Sequence, residues 1–346
     1  MAFLRRSRRT PDPTAAIASF WQWWTAEGAD RTTRALAAQS PDRMTYSLTT
    51  KVGEIHPDLA WELAAGADAE HQLVVTAEGD AELRAVARRW LRSAPAADAT
   101  WEYADLRQPV ADLEGMTLGI ADERIGFADV VVAARRDGHR LDVALHHPSF
   151  GVLPEGVRNQ VAFLALDSTL GEAGTELWIG DVAVLETPPL DGFGLAGLRV
   201  AVQDVRATTL DSDGHPVWVV LSGESEDGPV LAVTQVLLSP LLAPQLDQYV
   251  SVVVPYTDRT PEGFPGPDSI DELRRLEDHL TERLGGSGRL VAHQSQAGVR
   301  TVHAYVDSTT PAAEQVRAAV SGWTQGTVVV SAAPDPSWSA VSHLRT

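Results

Sequence analysis

The stretch from Tyr249 to Trp338 constrains the fold most strongly, because its pattern sets the order of six elements. β-branched runs such as YVSVVVP predict strands, and leucines at helical spacing, followed by two glycines, predict a helix that ends near Leu284. The predicted strands are 249–255, 290–295, 299–306 and 327–332, and the predicted helices are 269–284 and 311–321. The order strand, helix, strand, strand, helix, strand is the split βαβ arrangement, an antiparallel sheet with both helices on one face.

The residues before this stretch predict a second unit of the same class. Asp137 and Gly138 between two strand patterns are a strong hairpin signal, and a helix at 157–170 and a strand at 177–186 follow. Strands are also predicted at 44–55 and 198–207. The fold class is therefore α+β, with two antiparallel-sheet units that carry helices on one face, the C-terminal one ferredoxin-like.

Prolines and glycines place the predicted domain boundaries. Pro188 and Pro189, followed by three glycines, are typical of a linker. The predicted parts are a basic tail at 1–12, an N-terminal α+β domain at 13–187, a linker at 188–197 and a C-terminal domain at 198–346, which opens with a β-meander.

Three short motifs in the C-terminal part carry a family resemblance. They are L-x-x-L-E-x-x-L (Leu273, Leu276, Glu277, Leu280), G-x-R-x-x-x-x-Y (Gly298, Arg300, Tyr305) and D-P-x-W (Asp335, Pro336, Trp338). With them the chain resembles the bacterial family called domain of unknown function 695. That family has no established activity, so the resemblance implies no catalytic residue.

Upstream segments resemble sequences that accompany this family. They are L-D-x-x-L-G-E at 166–172, W-I-G at 178–180, and Ala94 and Pro95 with the later Trp101. The expected resemblance therefore extends over most of the chain.

The charge of the chain bears on its partners. The net charge is −19, and residues 1–10 contribute four arginines and no acid, so the remainder carries −23. Such a field repels phosphate backbones, which argues against nucleic-acid binding and favours a basic partner.

The absence of cysteine and the presence of a single lysine exclude several kinds of reactive and ligand-binding site. Without cysteine there are no disulfides, thiolate nucleophiles or cysteine-based zinc sites, and Lys51 does not lie in a phosphate-loop motif. No apolar run reaches transmembrane length, and the arginine-rich start lacks a following apolar signal region. We therefore expect a cytoplasmic protein without cofactor or metal.

The helix predicted from Pro13 to about Gln39 has an aromatic centre, FWQWW at 20–24. This wide aromatic face indicates a helix that packs over a sheet, and a membrane-surface or partner-binding helix is the alternative. The stretch between Thr10 and Arg31 has no basic residue, which weakens the membrane alternative.

Two other patterns suggest sites and have structural alternatives. Gly192, Gly194 and Gly197 spell a dinucleotide fingerprint, but prolines precede it and a strand-like run follows, so a linker is predicted. Asp167 and Glu172 could share a proton as acid and base in a buried helix, whereas a capping or turn-stabilising role is the alternative.

The most plausible binding face lies on the strands 290–295 and 299–306. Arg300 is expected on the helix-facing side, and His303 and Tyr305 on the opposite side. If the turn is Gln296, Ala297 and Gly298, His293 lies opposite Thr301 and diagonal to His303. This face could bind a ligand or a partner, or it could be covered by the other domain or the meander.

The sequence contains no recognisable catalytic signature. We therefore expect a non-enzymatic binding or regulatory protein that acts through protein contacts. The alternative is a small-molecule-binding protein, or a hydrolase or isomerase that uses the His293, His303 and Tyr305 face.

Overall fold

The computed structural model describes residues 13–40, 42–113, 115–120 and 123–345. The chain forms two compact units, the first ending at Leu106 and the second beginning at Arg107. The predicted basic tail at 1–12 lies outside the described residues, and the predicted linker at 188–197 lies inside the second unit. The fold is mixed α and β, as the sequence predicts.

The first unit packs helices on a small mixed sheet. Its helices are α1 (Thr14–Trp23), α2 (Ala29–Ala37), α3 (Asp42–Ile55) and α4 (Ala81–Arg92), and its strands are β1 (Ala60–Ala65), β2 (His71–Thr76) and β3 (Trp101–Ala104). β1 and β2 are antiparallel, but β2 and β3 are parallel. The antiparallel prediction is wrong here because α4 connects β2 to β3, and a helical crossover brings the second strand back in the same direction.

The aromatic helix lies in the core of this unit. Trp21 stacks on Trp90 with ring centroids 4.7 Å apart, and its indole N–H donates to the Trp90 carbonyl at 2.9 Å. The Trp24 indole donates to the Tyr103 hydroxyl on β3 at 2.9 Å. The predicted packing of this helix over a sheet is therefore confirmed.

The segment 44–55, predicted as a strand, is the helix α3. Its buried residues are Met44, Leu48, Val52 and Ile55, which recur at helical spacing. The threonines between them suggested a strand, but burial of one helical face outweighs the weak β preference of exposed threonine.

The second unit begins with a hairpin and a mixed sheet. The strands are β4 (Thr117–Ile120), β5 (Glu123–Gly126), β6 (Val131–Asp137), β7 (Arg140–His146), β8 (Ile179–Leu185) and β9 (Phe193–Gly194), and the helices are α5 (Glu155–Trp178) and α6 (Leu195–Thr209). In the described part of the chain, the larger sheet has the order β8-β7-β6-β9. The pair β7 and β8 is parallel, since α5 connects them.

The segment 198–207 was also expected to be a strand and is helical. The buried residues of α6 follow a helical period, and they are Leu195, Leu198, Val202, Val205 and Thr209. Gly194 precedes the first turn of this helix, so the strand-like run that argued against a dinucleotide fingerprint is in fact a helix.

A second sheet occupies the remainder of the chain. Its elements are β10 (Trp218–Ser225), β11 (Gly228–Gln235), β12 (Gln248–Pro255), α7 (Pro267–Leu284), β13 (Gly288–Gln296), β14 (Val299–Val306), α8 (Ala312–Ala319) and β15 (Val329–Pro334). Within the described residues the strand order is β10-β11-β13-β14-β12-β15, and each neighbouring pair is antiparallel.

The helices α7 and α8 pack on one face of this sheet. Val250, Val252 and Val254 of β12 form a buried cluster with the leucines of α7 and with Val316 of α8. A second cluster on the other face includes Tyr305, Trp338 and Val341, so the C-terminal segment covers that side. None of the helices in the described parts of the chain combines the length and the apolarity needed to cross a membrane.

Candidate functional site

The hairpin turn between β13 and β14 decides where His293 points. Ala297 and Gly298 both have positive φ angles, 50° and 82°, and Gln296 pairs with Val299. The turn therefore has two central residues instead of the three that were expected. His293 is opposite Val302 and lies on the helix-facing side, away from His303, because a register shift of one residue moves a side chain to the other face.

On the helix-facing side, Glu277 of α7 joins two of the predicted site residues. Glu277 Oε1 lies 3.1 Å from His293 Nδ1 and 3.1 Å from Arg300 Nη1. Arg300 is 8% exposed, and its Nε donates to Ser295 Oγ at 3.0 Å. Burial raises the pKa of Glu277, but His293 and Arg300 outweigh this effect and hold it below its ordinary value.

This polar cluster has the geometry of a structural ion pair. One carboxylate oxygen of Glu277 is shared by Arg300 and His293, and the Ser295 hydroxyl accepts from Arg300. The arrangement ties α7 to β13 and β14. The sequence shows Glu277 only as part of the leucine-rich motif, although its position four residues after the buried Leu273 places it on the sheet-facing side of α7.

On the opposite side, Tyr305 is buried under the D-P-x-W segment. Its ring stacks on Trp338 with centroids 4.3 Å apart, and its hydroxyl donates to Asp335 Oδ2 at 2.6 Å. Asp335 also accepts from the backbone N–H groups of Ser339 and Ala340, each at 2.9 Å. Burial and the bond to Asp335 raise the pKa of the Tyr305 phenol, so this group stays protonated at neutral pH.

His303 lies beside Tyr305 in the same covered layer and is 4% exposed. Its Nδ1 is 2.6 Å from the Tyr249 hydroxyl, while its Nε2 is buried without a hydrogen-bond partner. Burial, together with the neighbouring His343 and His293, lowers its pKa to about 4. His303 and Tyr305 therefore do not converge with His293, and the three groups do not form one pocket.

The other two predicted site residues flank a break in α5. Gly171 has φ 74° and ψ 164°, which interrupts the helix. Glu172 begins the second part; its N–H donates to the Arg107 carbonyl at 3.0 Å, and its Oε2 accepts from the Arg107 N–H at 3.3 Å. Asp167 lies half-buried in the first part. Glu172 thus stabilises the turn at the break.

Asp211, Asp213 and His215 place their ligand atoms within 4.8 Å of one another, and all three are exposed. Asp211 Oδ1 accepts from the backbone N–H groups of Asp213 and His215 at 3.0 and 2.9 Å. The clustering follows from this turn, so it does not by itself indicate a metal site.

The hairpin of β10 and β11 presents a surface that the sequence did not single out. Trp218 and Val220 are 48% and 64% exposed, and they share one face of β10 because they alternate along the strand. Across the strand pair lie Gln235 and Val233. β10 ends the sheet, so its outer backbone edge has no strand partner in the described parts of the chain.

The charged residues of this hairpin are all acidic. Between Trp218 and Gln235 the sequence contains Glu224, Glu226 and Asp227, and no lysine or arginine. Edge strands often carry charged residues, most often lysine, or proline that oppose pairing with other chains, and here the only charge is negative. The hairpin therefore combines a free edge, exposed apolar side chains and negative charge.

No curated protein matches this chain. A family model does match the part of the chain that forms the second sheet, including the D-P-x-W segment. The upstream motifs at 94–101, 166–172 and 178–180 lie outside the matched residues. Residues 216–344 match the family described as "Family of unknown function (DUF695)", which confirms the predicted resemblance for this part of the chain.

Proposed function

We propose that this protein is a non-enzymatic, cytoplasmic binding protein that recognises a basic protein partner through the β10–β11 hairpin. The observation that carries the proposal is the free edge of β10 beside the exposed Trp218 and Val220. An unpaired strand edge offers backbone N–H and C=O groups to an extended segment of another chain, and alternate side chains supply specificity.

The charge of the hairpin supports a basic partner. Glu224, Glu226 and Asp227 lie at its turn, and the whole chain has a net charge of −19. Opposite charge accelerates association and disfavours partners of the wrong sign. A segment that alternates apolar residues with lysine or arginine has the complementary chemistry, whereas a phosphate backbone is repelled.

The fold of the neighbouring elements supports the proposal because it holds the hairpin in place. The strand order β13-β14-β12-β15, with α7 and α8 on one face, supports a ferredoxin-like assignment for this part of the second sheet. The β10–β11 hairpin extends that sheet on the side of β13. A rigid sheet that continues into an exposed edge holds the recognition strand in a fixed conformation.

Purification of the tagged protein from its source cells at low salt tests this proposal. We expect a stoichiometric basic partner that the double variant Trp218→Ser/Val220→Thr loses. The matched control is Val329→Thr, because Val329 is 58% exposed on β15 at the other edge of the sheet. The proposal fails if no stoichiometric partner is found, or if the double variant retains the partner as well as the control does.

A further inference from the structure

A cavity of about 350 Å³ lies between α5 and α6 in the second unit, and we call it the α5–α6 cavity. Its apolar lining includes Leu170, Trp178 and Val202, and its polar lining includes Arg199, Gln203 and Arg206. This volume is within the range of small-molecule sites. The cavity lining includes no residue of the β10–β11 hairpin and no residue of the polar cluster around Glu277.

The break in α5 builds one wall of the cavity. Gly171 lets the helix turn aside, and a side chain there would lie 3.0 Å from the Arg107 carbonyl and from Pro109. The segment that begins at Arg107 is held against the break, since the Val110 N–H donates to the Ser168 carbonyl at 2.8 Å. The L-D-x-x-L-G-E motif therefore shapes this wall.

Arg199 of α6 connects two segments that form the cavity wall. Its guanidinium donates to the Thr169 carbonyl at 2.8 Å and also to the Val110 carbonyl. These two carbonyls belong to α5 and to the segment packed against the break. Because Arg199 holds both, the cavity is formed before any ligand enters, and little ordering cost remains for binding.

Arg206 is the group in this cavity that is available to a ligand. Arg199, Gln203 and Arg206 are four and seven residues apart on α6, which places them along one side of the helix. The Arg206 guanidinium carbon lies over the buried Trp178 ring, 5.9 Å from its centroid, and no ion pair of the described residues engages it.

The charge of the lining identifies the class of ligand. Two arginines and no acidic residue line the cavity, although the chain as a whole has a net charge of −19. A guanidinium binds a carboxylate through two parallel hydrogen bonds. A planar or aliphatic part of the ligand can pack against an aromatic side chain near the guanidinium. We propose that the α5–α6 cavity binds a small carboxylate whose apolar body packs against Trp178, Leu170 and Val202.

The probe for this proposal is 4-fluorobenzoate, titrated against the full chain and followed by ¹⁹F NMR. We expect saturable binding that weakens at least about fivefold in Arg206→Gln, because a charge-assisted hydrogen bond is lost. Ala111→Trp, which places a large side chain on the cavity lining, should weaken binding too. The neutral 4-fluorobenzamide should bind more weakly than the carboxylate.

Arg283→Gln is the matched control, since Arg283 is an exposed arginine in the last turn of α7, outside the cavity lining. It removes the same charge and should leave the affinity unchanged. The proposal is overturned if 4-fluorobenzoate does not bind saturably, if Arg206→Gln and Arg283→Gln bind it equally, or if the neutral amide binds as tightly as the carboxylate.

Discussion

The Tyr305 hydroxyl donates a 2.6 Å hydrogen bond to Asp335 Oδ2, and this bond joins the middle of the second sheet to the segment that covers it. Both residues belong to the motifs that carried the family resemblance. Burial raises the pKa of Asp335, but hydrogen bonds from Tyr305, Ala340 and Ser339 outweigh this effect and lower it below its ordinary value. These two motif residues therefore have a structural role: they hold the C-terminal segment against the sheet, and we call this pair the latch.

Replacement of Tyr305 by Phe should destabilise the second unit by about 2 kcal/mol, because a hydrogen bond to a charged acceptor is lost inside the protein. Tyr256→Phe is the comparison, since the Tyr256 hydroxyl donates to the neutral Gly263 carbonyl at 2.7 Å. It should cost about 1 kcal/mol. Urea denaturation of both variants measures the difference, and equal losses would contradict the latch.

Stability should fall as pH decreases from 6.5 towards 4 because of His303. Its pKa falls from an ordinary 6.5 to about 4 in the folded protein, so between these values the unfolded chain binds more protons than the folded one. Stability therefore rises with pH across this window, by a total of about 3 kcal/mol from this residue. Below the window the carboxylates Asp335 and Glu277, whose pKa values are lowered, add to the loss.

The variant His303→Gln isolates this effect. Tyr249 and His343 face His303 from the neighbouring elements and remain in the variant. Burial also lowers the pKa of His147, which contributes equally in both proteins. Urea denaturation at pH 5 and pH 7 should show a smaller difference in His303→Gln than in the parent, with the exposed His215→Gln as control. An unchanged difference would show that His303 is not the source.

The break in α5 requires glycine at position 171. Gly171 has φ 74°, and a Cβ there would lie 3.0 Å from the Arg107 carbonyl oxygen. We expect Gly171→Ala to cost about 2 kcal/mol, since a left-handed backbone and a close contact are both unfavourable to alanine. Gly156→Ala, in the first turn of the same helix with open space around it, should be neutral or slightly stabilising. Similar thermal unfolding of the two variants would contradict this account.

Glu277 should contribute more to stability than an exposed carboxylate of the same helix. Glu277→Gln leaves Arg300 nearly buried without its counter-ion, and we expect a loss of about 3 kcal/mol. The control is Glu272→Gln, because the Glu272–Arg275 pair is solvent-exposed and should contribute less than about 1 kcal/mol. Chemical denaturation that gives the same loss for both variants would show that the cluster is not stabilising.

Periodicity predicted the elements whose apolar residues form long, regular faces. The helix α7 and the strands β12, β13 and β14 lie close to their predicted positions. The segments of α3 and α6 were assigned to strands, since threonine and valine favour strands locally, whereas their buried residues follow a helical period.

The candidate site was less predictable than the fold because it depends on register and on tertiary contacts. A turn of two residues instead of three moved His293 to the other face of the sheet. Glu277 and Asp335 meet their partners across 16 to 30 residues of sequence, and no local pattern marks such pairs. Trp218 and Val220 are exposed because neither belongs to the buried clusters that α7, α8 and the C-terminal segment form on the two faces of the sheet, and this depends on tertiary packing.

Hydrogen–deuterium exchange of the complex shows which strand edge the partner covers. The complex for this experiment contains the unmodified protein and the partner that it captures. Backbone amides of β10 should exchange more slowly in this complex than in the free protein, whereas the exchange of those of β15, at the other edge, should not change. Protection confined to β15, or to a surface outside the β10–β11 hairpin, would contradict recognition through the free edge of β10.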